Sequence, residues 1–505
     1  MLELKNVSIR MKKDGRPLVE GLSFTLDRGE KAVLIGEEGN GKSTLLRLIQ
    51  DRAGVEAYCD CSGQVVLRGR PAYLPQALDP ALYGVRLGEY FDGTEYYLHT
   101  DIMEALGLEA EFLFSAQTLG TLSGGEKVKA QLFRLLLTEP DLLLLDEPSN
   151  DLDLDTLRWM ERFLNRTSLP VLYISHDETL IEHTANVVIH MEQLRRKTAC
   201  RVTVARLPYR DYLESRRRKL THQDQVARKQ REDHSRQMDR WRQIYQKVEH
   251  EQRSISRQDP HGGQLLKKKM RSVLSTGKRL EREREDFVPF AEEETAILAR
   301  FAEDVRIPAG KTVLDFSLDR LILGDRELAR DLRLFVSGPG AVGITGKNGA
   351  GKSTLLRRLW EALRQRKDLT AAYMPQDYSE VLNCHLSPLD FLVRGGGKEE
   401  ITLARSRLGS LRFTPEEMTA PIGELSGGQK AKLLFLDMVL REANVLLLDE
   451  PTRNFSPLSA PVVRSALKEF GGAILSVSHD RKYLSEVCDT VYELRQDGLH
   501  PVEKV

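Results

Sequence analysis

The sequence predicts an α/β fold built twice, with a mainly parallel sheet in each copy and a long antiparallel helical hairpin between them. Five short motifs recur in the same order at offsets of 300 to 310 residues, which indicates an internal repeat. The stretch between the copies is rich in Arg, Lys, Gln and Glu, a composition typical of long helices. We therefore expect a first repeat at 1–205, a helical linker at 206–304 and a second repeat at 305–505.

Length and composition are those of a globular protein with more than one domain. The chain has 505 residues, of which 41% are apolar and 30% charged. No apolar run approaches the roughly 20 residues that span a bilayer, and residues 1–10 lack the apolar core of a signal peptide. Five cysteines, including Cys59 and Cys61, form neither a disulfide scaffold nor a zinc set, so we expect a cytoplasmic protein with reduced thiols.

A glycine-rich loop is the first motif of each repeat. GEEGNGKSTLL at 36–46 recurs as GKNGAGKSTLL at 346–356, and each copy lies between a short apolar strand and a helix-forming stretch. This is the P-loop pattern, in which backbone N–H groups and the start of a helix bind phosphate oxygens. The lysine is expected to meet the β- and γ-phosphates, and the serine to ligate Mg²⁺. The candidate nucleotide-binding residues are Gly36, Glu37, Glu38, Gly39, Asn40, Gly41, Lys42, Ser43, Thr44, Gly346, Lys347, Asn348, Gly349, Ala350, Gly351, Lys352, Ser353 and Thr354.

An acidic pair follows the apolar stretches LLLL and VLLL. Continuous apolar runs predict parallel strands buried on both faces, and their ends lie at the edge of the sheet where ligands bind. Asp146 and Asp449 are expected in the shell of Mg²⁺, while Glu147 and Glu450 are expected to orient or deprotonate the attacking water. A helix N-cap with an ordinary acidic neighbour is the alternative, and the upstream P-loop argues against it.

Two more polar residues follow strands in each repeat. Gln76 and Gln376 end the motifs YLPQ and YMPQ, where a neutral amide can touch Mg²⁺ or the water. His176 and His479 end the next apolar strand; a lone histidine is usually structural, but both lie at the same distance from the acidic pair, so contact with the γ-phosphate is expected. The candidate catalytic residues are Glu147, Glu450, His176 and His479, and the candidate metal ligands are Ser43, Gln76, Asp146, Ser353, Gln376 and Asp449.

A second anion-binding motif occurs in each repeat. LSGGE at 122–126 recurs as LSGGQ at 425–429, and Ser-Gly-Gly at the start of a helix suits phosphate, although one domain does not need two such sites. With these signature loops the chain resembles ATP-binding cassette proteins over both repeats. The resemblance implies two ATP molecules bound head to tail, each between the P-loop of one repeat and the signature loop of the other. The residues implied are Ser123, Gly124, Gly125, Glu126, Ser426, Gly427, Gly428 and Gln429.

Recognition of the base departs from the cassette pattern. Cassette proteins commonly stack an aromatic ring on adenine, but the corresponding stretches 7–15 and 319–326 contain no aromatic residue. Apolar contact from Ile9, Met11 or Leu323 is expected to substitute. ATP is the expected nucleotide, and GTP stays open.

The linker concentrates positive charge. Residues 209–286 contain 22 Lys or Arg against 13 Asp or Glu, in a chain of zero net charge. Its apolar residues, among them Ile244, Leu265 and Leu274, are expected to pack two helices around a turn at 259–263. A solvated helix face explains most charge runs. Residues 252–280, however, at the expected tip of the hairpin, carry a net charge of +7, which favours contact with folded RNA. The candidate RNA-binding residues are Arg253, Arg257, Lys267, Lys268, Lys269, Arg271, Lys278 and Arg279.

Two cassettes joined by a basic helical linker resemble the ABC-F family of translation factors. The resemblance implies an ATPase that binds the ribosome at the tRNA exit site and pushes its linker toward the peptidyl-transferase centre. Its implied partners are rRNA and tRNA, with no membrane subunit or dedicated protein partner, and the chain is expected to be a monomer that closes on itself. Some members are housekeeping factors, and others protect the ribosome from antibiotics. Only 46 positions separate Gln76 from Leu122, so the helical arm of several members is expected to be absent, as in resistance-type members.

Two other classes of protein stay open. The fused ATPase subunit of a sugar importer would carry the same motifs, but it would not explain the basic hairpin. A DNA-repair or chromosome ATPase would have far longer helices than the linker allows.

The loop after the acidic pair differs between the repeats. SNDLD at 149–153 fits the family pattern, whereas TRNFS at 452–456 has Arg453 for Asn and Ser456 for Asp. We call these two segments the crossing loops, and we expect the second to face the first P-loop rather than its own. Ser456 and Pro457 also suit a helix N-cap and first helical position, so part of the change has a local explanation. We expect two competent but unequal sites.

Overall fold

The computed structural model describes residues 2–113, 115–194, 197–254, 260–284, 286–291, 301 and 305–502. The chain divides into two compact units, residues 1–209 with 294–505 and residues 210–293. The larger unit contains two copies of one α/β architecture, and the smaller contains a pair of helices.

The first repeat has a mainly parallel sheet and a smaller antiparallel sheet. Its strands are β1 (Leu2–Met11), β2 (Pro17–Leu26), β3 (Lys31–Ile35), β4 (Cys59–Leu67), β5 (Pro71–Leu74), β6 (Leu142–Asp146), β7 (Val171–Ile174), β8 (Val187–Leu194) and β9 (Ala199–Ala205). Its helices are α1 (Lys42–Gln50), α2 (Arg52–Glu56), α3 (Leu87–Tyr90), α4 (Thr100–Leu106), α5 (Ala110–Leu113), α6 (Gly124–Leu136), α7 (Leu154–Arg166) and α8 (Glu178–Thr184). The main sheet has the order β5-β6-β7-β3-β8-β9, antiparallel only between β8 and β9, and β2-β1-β4 is the antiparallel sheet.

The smaller unit is an antiparallel helical hairpin. Its helices are α9 (Tyr209–Ser254) and α10 (Pro260–Glu283), and at 1.5 Å per residue α9 is about 69 Å long. Their pairing runs in opposite directions, because His234 Nε2 lies 2.9 Å from the Leu280 carbonyl oxygen and Trp241 Nε1 donates to that of Val273 at 2.8 Å.

The apolar residues expected to pack the hairpin do so in part, since Val248, Val273 and Leu280 are buried, whereas the expected turn and three other apolar positions are wrong. Residues 260–263 already belong to α10, so they are not a turn, because Pro260 suits the first position of a helix. Ile244, Leu265 and Leu274 are 51%, 57% and 45% exposed, because they lie away from the line of contact between α9 and α10.

The second repeat has the architecture of the first. Its strands are β10 (Thr312–Leu323), β11 (Arg326–Ser337), β12 (Gly340–Thr345), β13 (Ala371–Met374), β14 (Val445–Asp449), β15 (Ala473–Val477), β16 (Thr490–Arg495) and β17 (Gly498–Val502). Its helices are α11 (Lys352–Leu363), α12 (Pro388–Leu392), α13 (Lys398–Ser410), α14 (Pro415–Thr419), α15 (Gly427–Leu440), α16 (Ala460–Lys468) and α17 (Arg481–Glu486). The main sheet has the order β13-β14-β15-β12-β16-β17, and β10 pairs with β11. The predicted fold class, two α/β repeats joined by a helical hairpin, is confirmed.

The register of the parallel strands brings the motifs to one edge of each sheet. In the first repeat Asp146 lies opposite Ile174 of β7, and Ile174 in turn lies opposite Leu34 of β3. Every residue of β3, β6 and β7 is buried, as expected for parallel strands covered on both faces. Gly36 leaves β3 with φ 147°, and a Cβ atom there would lie 2.2 Å from the Met191 carbonyl oxygen. Only glycine therefore allows the loop to turn back against the sheet.

Within the ranges given above, no helix is both long and apolar enough to cross a membrane.

Candidate nucleotide-binding sites

Both P-loops hold their lysine in the same way. Residues 36–41 connect β3 to α1, and residues 346–351 connect β12 to α11. Lys42 Nζ donates to the carbonyl oxygens of Gly36 (2.7 Å) and Glu37 (3.1 Å), and Lys352 makes the equivalent bonds at 2.9 and 3.0 Å. Both lysines are buried, so each ammonium group is fixed at the start of its helix, where phosphate oxygens bind.

A hydroxyl group and a carboxylate lie together beside each P-loop. Ser43 Oγ donates to Asp146 Oδ1 at 2.9 Å, and Tyr73 donates to the other carboxylate oxygen at 3.0 Å. Ser353 and Asp449 line one cavity in the second repeat. Burial raises the pKa of both aspartates despite hydrogen bonds from these serines, so a cation beside them would relieve an unfavourable charge. Such oxygen donors fit Mg²⁺.

The two glutamines are placed differently. Gln376 lines the same cavity as Ser353 and Asp449, and its amide lies 3.5 Å from the carboxylate of Asp151 in the opposite repeat. Gln76 follows β5 and is exposed.

The glutamates after the acidic aspartates share a strained backbone. Glu147 and Glu450 both have φ 51°, a left-handed conformation that costs a non-glycine residue about 1 kcal/mol or more. Each backbone N–H donates to the end of the neighbouring strand, to Ile174 O and Val477 O respectively.

The histidine of the first repeat is bonded on both sides. His176 Nε2 lies 2.9 Å from Glu147 Oε1, and its Nδ1 lies 2.8 Å from the carbonyl oxygen of Phe455 in the second repeat. Burial lowers the pKa of His176, but the Glu147 carboxylate more than offsets it, so the pKa lies above its ordinary value. Two facing acceptors suit the doubly protonated imidazolium ring.

The histidine of the second repeat has no such neighbours. Among the residues that the structure describes, neither ring nitrogen of His479 has a hydrogen-bond partner. Burial, together with the charge of Lys352, lowers its pKa to about 3, so the ring is neutral. Glu450 accepts instead from the backbone N–H of His479 at 3.3 Å, and burial together with Asp449 raises the pKa of Glu450 to about 8. A neutral ring with open nitrogens can face a phosphate.

A cavity of about 420 Å³ surrounds this second histidine. It is bounded by the second P-loop, Glu450 and His479, and by residues 149–152 of the first crossing loop from the opposite repeat. The first repeat therefore contributes its crossing loop to the site of the second repeat. The same cavity includes Arg453, so the second crossing loop also faces its own P-loop, and the expectation that it faces only the first P-loop is wrong.

The first P-loop meets the opposite signature loop through a carboxylate. Glu38 Oε2 accepts a hydrogen bond of 2.5 Å from the backbone N–H of Gly428, in the first turn of α15. This N–H belongs to the helix start that sequence analysis assigned to phosphate. An acidic side chain of the chain itself therefore occupies an anion-binding position.

Both signature loops are also helix caps. Ser123 and Ser426 are N-caps whose hydroxyls accept backbone bonds at 3.3 Å, and Glu126 and Gln429 bond back to the N–H of those serines at 2.8 and 3.0 Å. These capping boxes fix the two helix starts, α6 and α15.

A second acidic residue of the first P-loop is bound by the opposite repeat. The Glu37 carboxylate accepts from Ser456 Oγ at 2.7 Å and from Ser459 Oγ, and Lys432 Nζ lies 3.4 Å away. Burial would raise the pKa of Glu37, but Lys432 and the two hydroxyls hold it below its ordinary value. Ser456 is not the N-cap of α16, which begins at Ala460, but its Oγ accepts the backbone N–H of Ser459 at 3.2 Å, as a cap does, while the same hydroxyl donates to Glu37.

The residues expected to contact the base lie in different surroundings. Leu323 lines the cavity of the second site together with Leu328 and Arg326, which sequence analysis did not identify. Ile9 is 1% exposed inside the core, so it is unavailable to a base. The equivalent of Leu328 in the first repeat is Leu18, which packs against Gly41. Neither leucine belongs to a recognisable sequence motif, so the sequence alone does not identify them.

The basic residues assigned to RNA lie on the hairpin. Those within the described ranges are all exposed: Arg253, Lys267, Lys268, Lys269, Arg271, Lys278 and Arg279. Arg257 lies outside the described residues.

Two P-loop domains that complete each other's sites define a tandem ATP-binding cassette ATPase. The "ABC transporter" family model matches residues 19–150 and 330–453. The chain is 27% identical to the probable ATP-binding protein YheS of Escherichia coli K12, over 98% of this chain and 79% of YheS. It is 25% identical to ABC transporter F family member 2 of Arabidopsis thaliana, over 99% and 77% of the two chains. The chain belongs to the ABC-F family of ATP-binding cassette proteins, and it binds and hydrolyses ATP.

A solved structure has a similar fold. The archaeal ribosome recycling factor aABCE1, in complex with the ribosomal stalk protein aP1, aligns with a TM-score of 0.59 at 17% identity. The alignment covers 98% of this chain and 90% of aABCE1.

Proposed function

We propose that this protein is a ribosome-binding ATPase that protects the ribosome from antibiotics. ATP binding and hydrolysis gate the insertion of its helical hairpin toward the peptidyl-transferase centre, where rRNA and tRNA are its partners. The role places the protein in the cytoplasm, without a membrane subunit. The observation that carries the proposal is the basic surface of α10.

This surface is available to phosphates. Within the described part of the chain, Lys267, Lys268, Arg271 and Lys278 are exposed and form no ion pair, whereas Lys269 pairs with a glutamate of α9 at 3.3 Å. Exposed cations without acidic neighbours release counterions when they bind phosphates, which gives affinity without reading the base sequence. The ribosome as partner is carried over from the family resemblance and from the recycling role of aABCE1.

The nucleotide sites supply the switch. Ser43 and Asp146 would hold Mg²⁺ in the first site, and Ser353 and Asp449 in the second. Mg²⁺ supplies positive charge that offsets the phosphate oxygens. Lys42 and Lys352 would bind phosphate oxygens at the interface between the repeats. Glu147, and Glu450 in its ionised form, would accept the proton of the attacking water. Hydrolysis then reopens the repeats and releases the ribosome.

The two sites are proposed to be unequal. In the first, Glu38 holds the signature N–H of Gly428, and His176 is bonded on both sides. In the second, His479 faces an open cavity. We expect the second site to exchange and hydrolyse ATP faster. Single Glu147→Gln and Glu450→Gln variants with the same turnover and the same ribosome retention would contradict this.

Co-sedimentation with ribosomes tests the function. The Glu147→Gln/Glu450→Gln chain should co-sediment in ATP, because glutamine cannot accept the proton and the closed state persists. Changing Lys267, Lys268 and Arg271 to alanine in that background should abolish binding near physiological salt and reduce the salt slope by about 2.

A matched control removes equal charge elsewhere on the hairpin. Arg217, Arg218 and Lys219 lie exposed near the start of α9, and changing them to alanine should preserve most of the binding. Absence of co-sedimentation by the parent chain, or equal loss in both triple variants, would overturn the proposal. Drug susceptibility of cells with and without the protein separates antibiotic protection from a housekeeping role.

A further inference from the structure

The two repeats also meet through buried ion pairs away from the phosphate-binding loops. Arg464 Nη1 and Nη2 donate to Glu178 Oε1 and Oε2, both at 3.1 Å, so the second repeat grips a carboxylate of the first through two parallel bonds. Arg481 pairs in turn with Glu161. Glu161 lies on α7 and Arg464 on α16, while Glu178 and Arg481 are the first residues of α8 and α17.

This cluster is well shielded from water. Arg464 and Glu178 are 3% and 6% exposed. Lys482 adds a bond of 2.8 Å to Glu178 and pairs with Glu182. In such surroundings an opposite charge stabilises the contact, whereas a like charge is strongly unfavourable.

The internal repeat relates these pairs to each other. The offset of 303 residues that superposes the signature loops and acidic pairs also maps Glu161 onto Arg464 and Glu178 onto Arg481. The contacts Arg464–Glu178 and Arg481–Glu161 are therefore the same contact seen from the two sides of a pseudo-twofold interface. Both positions are acidic in the first repeat and basic in the second.

A third position shows the same inversion. Glu37 of the first P-loop corresponds to Lys347 of the second at the P-loop offset of 310. Glu37 is bound by Ser456 and Lys432, and the first-repeat equivalent of Ser456 is Asp153. Pairing two first repeats would thus bring a glutamate against an aspartate, although the equivalent of Lys432, which is Lys129, keeps its positive charge.

We propose that this charge inversion selects the pairing partner, so that the interface of the first repeat accepts only a second repeat. Two homologous domains with symmetric surfaces can otherwise pair in like combinations between chains and form open chains of molecules. Two first repeats would place Glu161 against Glu178, and two second repeats would place Arg464 against Arg481. Since the linker keeps the matching repeats in one chain at high effective concentration, the allowed pairing is intramolecular.

Exchanging charges in the full-length chain tests the proposal. Glu161→Arg/Glu178→Arg makes both repeats basic, and Arg464→Glu/Arg481→Glu makes both acidic. Each variant alone should remain at the 57.3 kDa monomer mass by light scattering, with its closing equilibrium weakened at least about 100-fold in inter-repeat energy transfer. An equimolar mixture of the two should form a mixed dimer and regain closed contacts.

Three outcomes would contradict the proposal that these charges select the pairing partner. Either variant closing like the parent chain, either variant forming dimers with itself, or a mixture that stays monomeric would overturn it. Circular dichroism of each variant establishes that the repeats are folded.

A neutral interface provides a second test in case the reversed variants do not fold. Glu161→Gln, Glu178→Gln, Arg464→Met and Arg481→Met together remove all four charges, and buried ion pairs commonly tolerate such replacement. This chain should close within itself at low concentration and associate with itself once its concentration approaches the effective concentration set by the linker, on the order of millimolar, whereas the parent stays monomeric there. A neutral chain as monomeric as the parent at that concentration would show that the charges do not select the partner.

Discussion

Replacing Glu38 with asparagine, the residue at the equivalent position of the second P-loop, should strengthen nucleotide binding at the first site. The Glu38 carboxylate accepts the N–H of Gly428, a group at a helix start that favours phosphate. ATP must displace this carboxylate before the signature loop can bind its phosphates. A hydrogen bond to a charged group contributes about 1.5–3 kcal/mol. Removing the competing Glu38 carboxylate should therefore tighten ATP binding at the first site roughly 10- to 100-fold.

The assay is a titration with fluorescent ATP in a chain that cannot hydrolyse it. Glu147→Gln/Glu450→Gln removes turnover, and Lys352→Ala weakens the second site so that the first dominates the isotherm. The reciprocal change Asn348→Glu, made with Lys42→Ala, should weaken the second site. The reasoning is refuted if Glu38→Asn leaves the dissociation constant of the first site within twofold of the parent value.

Three other substitutions follow from packing and charge. Arg464→Leu removes the two hydrogen bonds that Arg464 donates to the buried Glu178 carboxylate and should cost about 3 kcal/mol in denaturant unfolding. Most of this loss should be recovered in the double variant Arg464→Leu/Glu178→Leu. A single variant within about 1 kcal/mol of the parent would contradict this. Because burial raises the pKa of Glu450 from 4.5 to about 8, the folded chain holds a proton there that the unfolded chain releases, and stability is lost as pH rises toward 8. Glu450→Gln should therefore raise the melting temperature at pH 9 but not at pH 4, and a gain that does not change with pH would disprove the assignment. Gly277→Leu places a side chain where a Cβ atom would already lie 2.7 Å from the Trp241 ring, and it should speed proteolysis within the hairpin; unchanged cleavage would count against that packing.

The sequence predicts those parts of the fold that depend on short stretches of neighbouring residues. Continuous apolar runs predicted the buried strands β3, β6 and β7, and the P-loops and acidic pairs predicted which strand ends lie at one edge. Composition predicted two long helices. The end of the turn was misplaced because Pro260 suits both a turn and the first position of a helix.

Contacts across the interface could not be predicted in the same way. Glu37 binds Ser456 and Ser459, which lie 419 and 422 positions away along the chain. Their residue types suit a helix cap equally well, and only the packing of the two repeats decides between the roles. Leu328 was missed because an apolar side chain at a cavity mouth resembles any core residue in sequence.

The crossing loops make the two nucleotide sites thermodynamically dependent. The backbone carbonyl of Asp151 accepts from Asn348 of the second P-loop, and its carboxylate pairs with Arg453 at 2.9 Å. Movement of that P-loop around a nucleotide thus acts on the loop of the opposite repeat, which directly follows Asp146 and Glu147 of the first site. Such linkage is reciprocal, so each nucleotide changes the affinity for the other by the same factor. The saturation curve of the intact chain is then not the sum of two independent hyperbolas.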